Sequence, residues 1–494
     1  MNVLYHLLYS IFVNMIIINS YISFNQAQPG KYSYSRILDG SGNDQVFSVT
    51  CDSSGNIYIC GRYQATPTIR DQDGTPLGTL TAASVFAAFM SKFDASGNYL
   101  YSRIFDASSF EVWSTISCDS IGNVYVGGNC NGTVTIKDQN GSPLGTLPAY
   151  NGATAFMCKF SASGTYLYSR IFDAISNDVT NRITCDSGDN VYMCGWYDRA
   201  ATIRDQNGNS VGTLPSVSNQ TAFMAKFSAS GNYLYSRIFD GNGSVCINVS
   251  RDSGDNVYMV GYYNISVTVK DQNGSPIGSL PVTGGFVGFM SKFDASGNYL
   301  YSRILDGTAN FEGVTCDSGG NVYVSGHYSG TATIRDQNGT PIGTLPAFSN
   351  ESSLMCKFSA SGNYLYSRIL DSGGNDRAYG MTCDSGDNVY VSGYYNGTPT
   401  IYNQIGTPLG TLPASSSQAG FMCKFDASGN YLYSRILDGS GNDTVRDVTR
   451  DSSGNVYMIG DYNGTATIRD QIGTPLGTLP SASVETGILI CFTQ

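Results

Sequence analysis

The chain has 494 residues, a formal net charge of -11 and only 13% charged residues, about half the share of an ordinary soluble domain. Phosphate-backbone binding needs clustered Lys and Arg, so nucleic acid is excluded as an expected partner. Abundant Gly (58) and Tyr (35) suit a fold rich in sheet and tight turns.

The first predicted element is apolar. From Leu4 to Phe24 the chain reads LYHLLYSIFVNMIIINSYISF, followed by polar NQAQPG. It has the pattern of a secretory signal peptide covering residues 1–28, cleaved just after Ala27. The alternative is an uncleaved membrane anchor. Residues 29–494 are expected to form one domain, secreted or displayed on a cell or particle surface.

The rest of the chain repeats itself. The tyrosine of GNIYICG (Gly55 to Gly61) recurs at Tyr58, Tyr125, Tyr192, Tyr258, Tyr323, Tyr390 and Tyr457, which announces a repeat architecture. Within one copy, VFSVTCD (Val46 to Asp52) alternates apolar and polar, SSGN turns the chain and NIYICGRY runs back. After a connection, FAAFMSKF (Phe86 to Phe93) and YLYSRIF (Tyr99 to Phe105) flank the turn DASGN. Four antiparallel strands of this size make one propeller blade. The expected fold is all-β, a seven-bladed β-propeller of four-stranded blades.

The chain ends predict how such a ring closes. KYSYSRIL (Lys31 to Leu38) matches only a fourth strand and GILICF (Gly487 to Phe492) only a third. The N-terminal outer strand is therefore expected to pair with the C-terminal strand and close the last blade.

These segments carry a family resemblance. ILDGSGNDQVFSVTCDSSGNIYICG, repeated with AFMCKFSASG between copies, resembles the SBBP β-propeller repeat, and its hairpins are similar to those of NHL propellers. The resemblance implies an extracellular or surface repeat domain without a common catalytic site. The chain departs from that pattern between the second and third strands, at TIRDQDGTPLGTL and its copies. ATIRDQNGTPIGTLP (Ala332 to Pro346) reads as an extra small hairpin, expected on the face that carries the fourth-to-first connections.

Function is sought where the copies differ. Lys92, Phe93, Tyr99, Tyr101 and Arg103 recur in nearly every copy and read as scaffold. The fourth-to-first connections vary, with Phe110, Glu111 and Trp113 in one, Asp178 and Arg182 in another, then Phe311 with Glu312 and Arg377 with Tyr379. A second variable position follows the second strand's glycine, at Arg62, Asn129, Trp196, Tyr262, His327, Tyr394 and Asp461. The binding residues expected from this comparison are Phe110, Glu111, Trp113, Trp196, Tyr262, Phe311, His327, Tyr379 and Tyr394, facing a protein or glycan ligand.

Catalytic chemistry finds little in the sequence. Apart from His6, His327 is the single histidine, so a histidine-rich metal site has no ligands. Asp44, Asp178, Asp376 and Asp443 would form a calcium site if they converged at the channel mouth. RDQDG (Arg70 to Gly74) opens like a calcium loop but lacks the closing Glu, and reads as a turn. No other cofactor is expected.

Among the thirteen cysteines, Cys51, Cys118, Cys185, Cys316 and Cys383 share one position, where Arg251 and Arg450 stand in the other copies. They read as small buried residues; Cys51 with Cys60 and Cys185 with Cys194 are the best disulfide pairs. Asn-x-Ser/Thr sequons, including Asn131, Asn264, Asn396 and Asn463, are acceptor sites for glycosylation in a secreted protein. The sequence points to a non-catalytic binding or structural module. A self-associating shell or fibre component and a carbohydrate-active enzyme with its site at the channel mouth are the alternatives. Contact with a membrane is expected only through an uncleaved N-terminal segment.

Overall fold

A computed structural model describes residues 30–107, 114–150, 152–174, 176–215, 217, 220–281 and 285–493; the N-terminal apolar segment lies outside them. The described residues contain strands and turns but no helix, and so no helix able to cross a membrane.

One local device starts the hairpins. Asp52 Oδ1 accepts the amides of Ser54 (3.0 Å) and Asn56 (2.9 Å), and the Asn56 side chain donates to Asp52 Oδ2 at 2.8 Å. Gly55 takes the left-handed conformation the turn requires, with φ 78°. Asp94, Ser96 and Asn98 repeat the arrangement in the second hairpin. The spacing Asp-x-x-Gly-Asn thus fixes each turn by its own side chains.

The strands of a repeat lie side by side in chain order. Gln45–Cys51, Ile57–Ala65, Ala83–Phe93 and Tyr99–Ala107 pair antiparallel in succession. The extra hairpin of the next repeat, Val134–Asp138 with Pro143–Leu147, is added beyond Tyr99–Ala107, with Val134 opposite Ala107 and Asp138 opposite Arg103. Six-stranded sheets result. The hairpin therefore does not decorate a face, as the sequence suggested; it caps the outer edge of the neighbouring blade. The physical reason is the row of unpaired backbone groups that a fourth strand would otherwise present. Where a second strand runs on into its hairpin, as in Val322–Asp336 and Val389–Asn403, neighbouring sheets join.

The chain ends share one sheet. Lys31–Asp39 pairs with Ala482–Thr493, Lys31 opposite Thr493 and Leu38 opposite Gly487, and its other edge takes the hairpin beginning at Thr68–Asp71. The first strands touch in sequence: Gln45–Cys51, Ser114–Cys118, Val179–Cys185, Val245–Arg251, Ala309–Cys316, Arg377–Cys383 and Thr444–Arg450, the last of which touches Gln45–Cys51 again. The fold is a β-propeller.

Packing between sheets follows the repeat. Fully buried tyrosines such as Tyr58, Tyr125 and Tyr192 lie under a lysine from the third strand; Lys92 Nζ sits 4.9 Å above the Tyr58 ring and donates to the Ala162 carbonyl of the next blade at 2.9 Å. Arg103 lies 4.4 Å over the Tyr101 ring and donates to the Gly164 carbonyl at 2.6 Å. Arg435 makes the corresponding contact to the Gly30 carbonyl at 2.8 Å, so Gly30 takes the place of a turn glycine.

All thirteen cysteines are free. The pairs Cys51 with Cys60 and Cys185 with Cys194 do not bond. Cys60 stands opposite Ser48 and Cys51 opposite Ile57, and the two cysteines pack into different inter-sheet clusters. Cys185 and Cys194 are separated in the same way. Each pair lies on opposite sides of one sheet, which disulfide geometry cannot span.

Candidate functional site at the channel mouth

The site begins with a slip in register. Pairing between first and second strands shifts between Val46 and Ser48, Thr180 and Arg182, Cys246 and Asn248, Phe311 and Gly313, Ala378 and Met381, and Val445 and Asp447. These are β-bulges, which leave a residue outside the ladder and re-aim its side chain. The residues so displaced are Phe47, Asn181, Ile247, Glu312, Tyr379 with Gly380, and Arg446; Ser114 holds the same place in the remaining repeat, four residues before Cys118. The glycine within six of the second strands explains itself here. A Cβ on Gly61 would lie 1.9 Å from the Gln45 carbonyl oxygen, and Gly195, Gly261, Gly326, Gly393 and Gly460 are confined by the equivalent carbonyl at 1.8–2.0 Å.

The displaced residues line one cavity of about 280 Å³, together with Ser48, Thr115, Arg182 and Asn248. Every first strand contributes to it. Its floor is Arg182, whose Nη1 donates to Asp447 Oδ2 at 2.8 Å and to Ser48 Oγ at 3.2 Å. Burial opposes the charge on Arg182, but Asp447 more than compensates and raises its pKa. Arg182 also borders a second space of about 150 Å³, to which each first strand contributes one threonine or serine, such as Thr50, Thr184 and Thr382. The arginine thus separates a mouth of varied chemistry from a lower channel of repeated hydroxyls.

Around the mouth stands the ring that follows the second-strand glycines. Arg62 Nε donates to Gln45 Oε1 at 2.7 Å, and Gln45 Nε2 donates to Glu485 Oε1 at 2.7 Å. Arg446 is hydrogen-bonded to Asp461 and lies 3.7 Å from Glu485. Arg377 grips Glu351 with two bonds, at 2.8 and 3.1 Å. Burial pushes the Asp461 carboxyl up to about 7 against the pull of Arg446, and pushes Glu312 up to about 7 against Arg377. His327 Nδ1 is 3.8 Å from Glu312; burial, helped by Arg377 and opposed by Glu351, holds its pKa down at about 4.

The structure sorts the residues expected from sequence. Tyr379 lines the cavity, its ring 5.8 Å from that of Tyr394 on the adjacent second strand. Tyr262 is half-buried against Phe286 at 5.6 Å, and Trp196 is half-buried opposite Val179 and Ala222. His327 is a buried rim residue rather than an exposed loop residue. Phe311 is a correction: it is fully buried in an inter-sheet cluster. It stands five residues before the end of its strand, where Val46, Cys246 and Val445 face the core, so its register sends it inward. Phe110, Glu111 and Trp113 lie outside the described residues.

The four aspartates do not converge either. Asp44, Asp178, Asp376 and Asp443 are buried, and their Oδ1 atoms accept the amides of Gln64, Asp198, Asn396 and Asn463 at 3.1–3.3 Å. Each ties its own connection to the strand beside it. Burial raises Asp44, Asp178 and Asp443 to about 8 and Asp376 to about 6. No group of three His, Cys, Asp or Glu among the described residues is placed to hold a metal ion.

Sequence reading missed Phe47, Ser114, Asn181, Ile247 and Arg446 as one set. The signal was present, since one column of the repeat carries seven different residues four places before the Cys/Arg position. Nothing in the sequence marks that column as a bulge.

No protein-family profile matches the chain. It is 21% identical over 459 residues to an uncharacterised WD repeat-containing protein, L264, of Acanthamoeba polyphaga mimivirus, covering 80% of this chain and 33% of that protein. The chain spans about a third of that relative's length. Among solved structures it is similar to U3-55K (10% identity, 93% of this chain and 99% of that one, TM-score 0.39) and to the Dos1 propeller (9% identity, 78% and 93%, TM-score 0.36). The sheet order described above and the WD repeats of that relative agree on a propeller.

Proposed function

We propose that the chain is a secreted or surface-displayed, seven-bladed propeller, closed by the pairing of Lys31–Asp39 with Ala482–Thr493, and that it binds a protein or glycan ligand at the channel mouth without catalysing a reaction. One observation carries the reading. Strands, turns and inter-blade contacts repeat around the molecule, whereas the bulge column presents Phe47, Ser114, Asn181, Ile247, Glu312, Tyr379 and Arg446 to a single cavity. A scaffold needs no such variety; a concave site with convergent polar groups on rigid strands does. A glycan array and a pull-down with the wild-type chain and the Tyr379→Ala/Arg446→Ser variant test it. Loss of a specific ligand in the variant, with unchanged thermal unfolding, supports the site, and binding indifferent to both substitutions sinks it.

Glu312 favours one second reading, the carbohydrate-active enzyme, because a carboxyl with a pKa of about 7 suits a general acid. Glycoside cleavage requires a second carboxylate. The carboxylate that acts on Glu312, Glu351, is engaged by Arg377, as Asp447 is by Arg182 and Asp461 by Arg446. Release of reducing sugar from a glycan bound at the mouth would establish this reading over the first.

A further inference from the structure

We infer that the mouth cavity receives an uncharged sugar ring at the end of a glycan; this rests on the channel mouth being the ligand site. Size is the first argument. At about 280 Å³ the cavity sits at the lower limit of small-molecule pockets, room for one ring rather than a folded peptide segment.

Charge is the second. The cations at the mouth have anionic partners: Arg182 with Asp447 at 2.8 Å, Arg377 with Glu351 at 2.8 Å, and Arg446 with Asp461 and Glu485, while Arg62 is held through Gln45. A phosphate or an acidic peptide would have to break these pairs. A basic side chain would find only Glu312, whose carboxyl burial holds near neutrality. An uncharged ligand disturbs neither.

Hydrogen-bonding capacity is the third and most specific. Thr115 is buried (1% exposed) and borders the cavity, and its hydroxyl has no hydrogen-bond partner among the described residues; an unsatisfied buried hydroxyl is costly. Asn181 and Asn248 each spend one side-chain N–H on a carbonyl, of Cys246 (2.7 Å) and of Glu312 (3.3 Å), which leaves each a second N–H as donor and a carbonyl oxygen as acceptor. Unused guanidinium N–H groups of Arg182 and Arg446 are donors. A ring of adjacent hydroxyls, each both donor and acceptor, answers this mixture. Tyr379, also on the wall, offers a flat surface for the C–H face of such a ring, while the Phe47 ring lies against Arg62 and Arg446 at 5.7 and 5.5 Å.

Titration calorimetry on the full chain tests the inference with glucose, galactose, mannose and N-acetylglucosamine as neutral probes, and glucuronate and inorganic phosphate as charged ones. At least one neutral sugar should bind with a Kd of about 1 mM. Thr115→Val should weaken it about tenfold, and Tyr379→Ala should abolish it. Thr382→Val, below Arg182, should leave it unchanged. If Thr115→Val does not fold, Asn181→Leu on the same wall takes its place, with the same tenfold loss expected. Tighter binding of glucuronate or phosphate than of every neutral sugar overturns the inference, as does neutral-sugar binding unaffected by the mouth variants. If the sugars fail but a ligand from the pull-down is lost in the mouth variants, the sugar inference falls and the mouth site stands. If no ligand responds to the mouth variants, both fall.

Discussion

A single backbone approach governs the site at the residue scale. The bulge that frees Ile247 brings the Val245 carbonyl so close to Gly261 that a Cβ there would lie 1.9 Å from the oxygen. Gly261→Ala must open the bulge or separate the strands, and is expected to cost about 2–4 kcal/mol, read as a lowered midpoint in denaturant unfolding. Glu312 gives a second residue-scale prediction. Its pKa of about 7 in the folded chain lies above the ordinary 4.5. The folded state therefore holds a proton that the unfolded state releases. The stabilisation is complete below pH 4.5 and is lost as pH rises to 7. Glu312→Gln should remove this fall, on the order of 3 kcal/mol, when unfolding free energies at pH 4.5 and 7.5 are compared. His327, held at about 4, acts in the opposite sense, losing stability as pH falls from 6.5 toward 4, while the raised carboxyls of Asp44, Asp178, Asp376, Asp443 and Asp461 act in the same sense as Glu312, so the variant should lessen the total fall rather than reverse it. An unchanged difference between the two pH values would contradict the assignment.

At the element scale, the exchanged hairpin departs most from a simple four-stranded blade. Thr68–Asp71 and Pro76–Thr79 cover the outer edge of Lys31–Asp39, and their own outer strand is four residues long and opens with proline. A short, proline-headed edge is a poor template for further pairing, which weighs against self-association through strand edges. Replacing residues 68–79 with a short Gly-Ser link should expose the strand beneath and produce oligomers in size-exclusion chromatography. A variant that stays monomeric and as stable as wild type would contradict the capping role. Much of this scale was legible in sequence. The Asp-x-x-Gly-Asn turns, the strand order and the extra hairpin all follow from local patterns. Where the hairpin docks was not legible, because its partner lies in the neighbouring repeat. The bulges were also hidden, since Phe47 and Arg446 sit in an ordinary alternating strand and only the register with the next strand displaces them. Phe311 was misplaced for the same reason: an aromatic in a variable connection looks exposed until its pairing with Gly326 fixes its direction.

For the whole molecule, a repetitive frame surrounds an asymmetric cavity, and on the proposed closure that frame depends on Lys31–Asp39 pairing with Ala482–Thr493. Arg435 reaches the Gly30 carbonyl, and Lys31–Asp39 fills the gap between Ala482–Thr493 and the hairpin at Thr68. On the proposed closure, removing residues 30–39 should leave an unpaired edge and a chain that does not fold cooperatively, and a synthetic peptide of residues 30–39 should restore the thermal transition. The expectation of secretion rests on residues 1–28, and detection of the chain in culture medium with a mature N-terminus near residue 28 would bear it out. The central claim concerns the cavity, and the most direct measurement replaces its variety with uniformity. A chain in which Phe47, Asn181, Ile247, Glu312, Tyr379 and Arg446 are all serine, matching Ser114, should keep the wild-type circular dichroism spectrum and lose every ligand that the wild-type chain captures on a glycan array or in a pull-down. Retention of those ligands by the uniform chain would contradict the account.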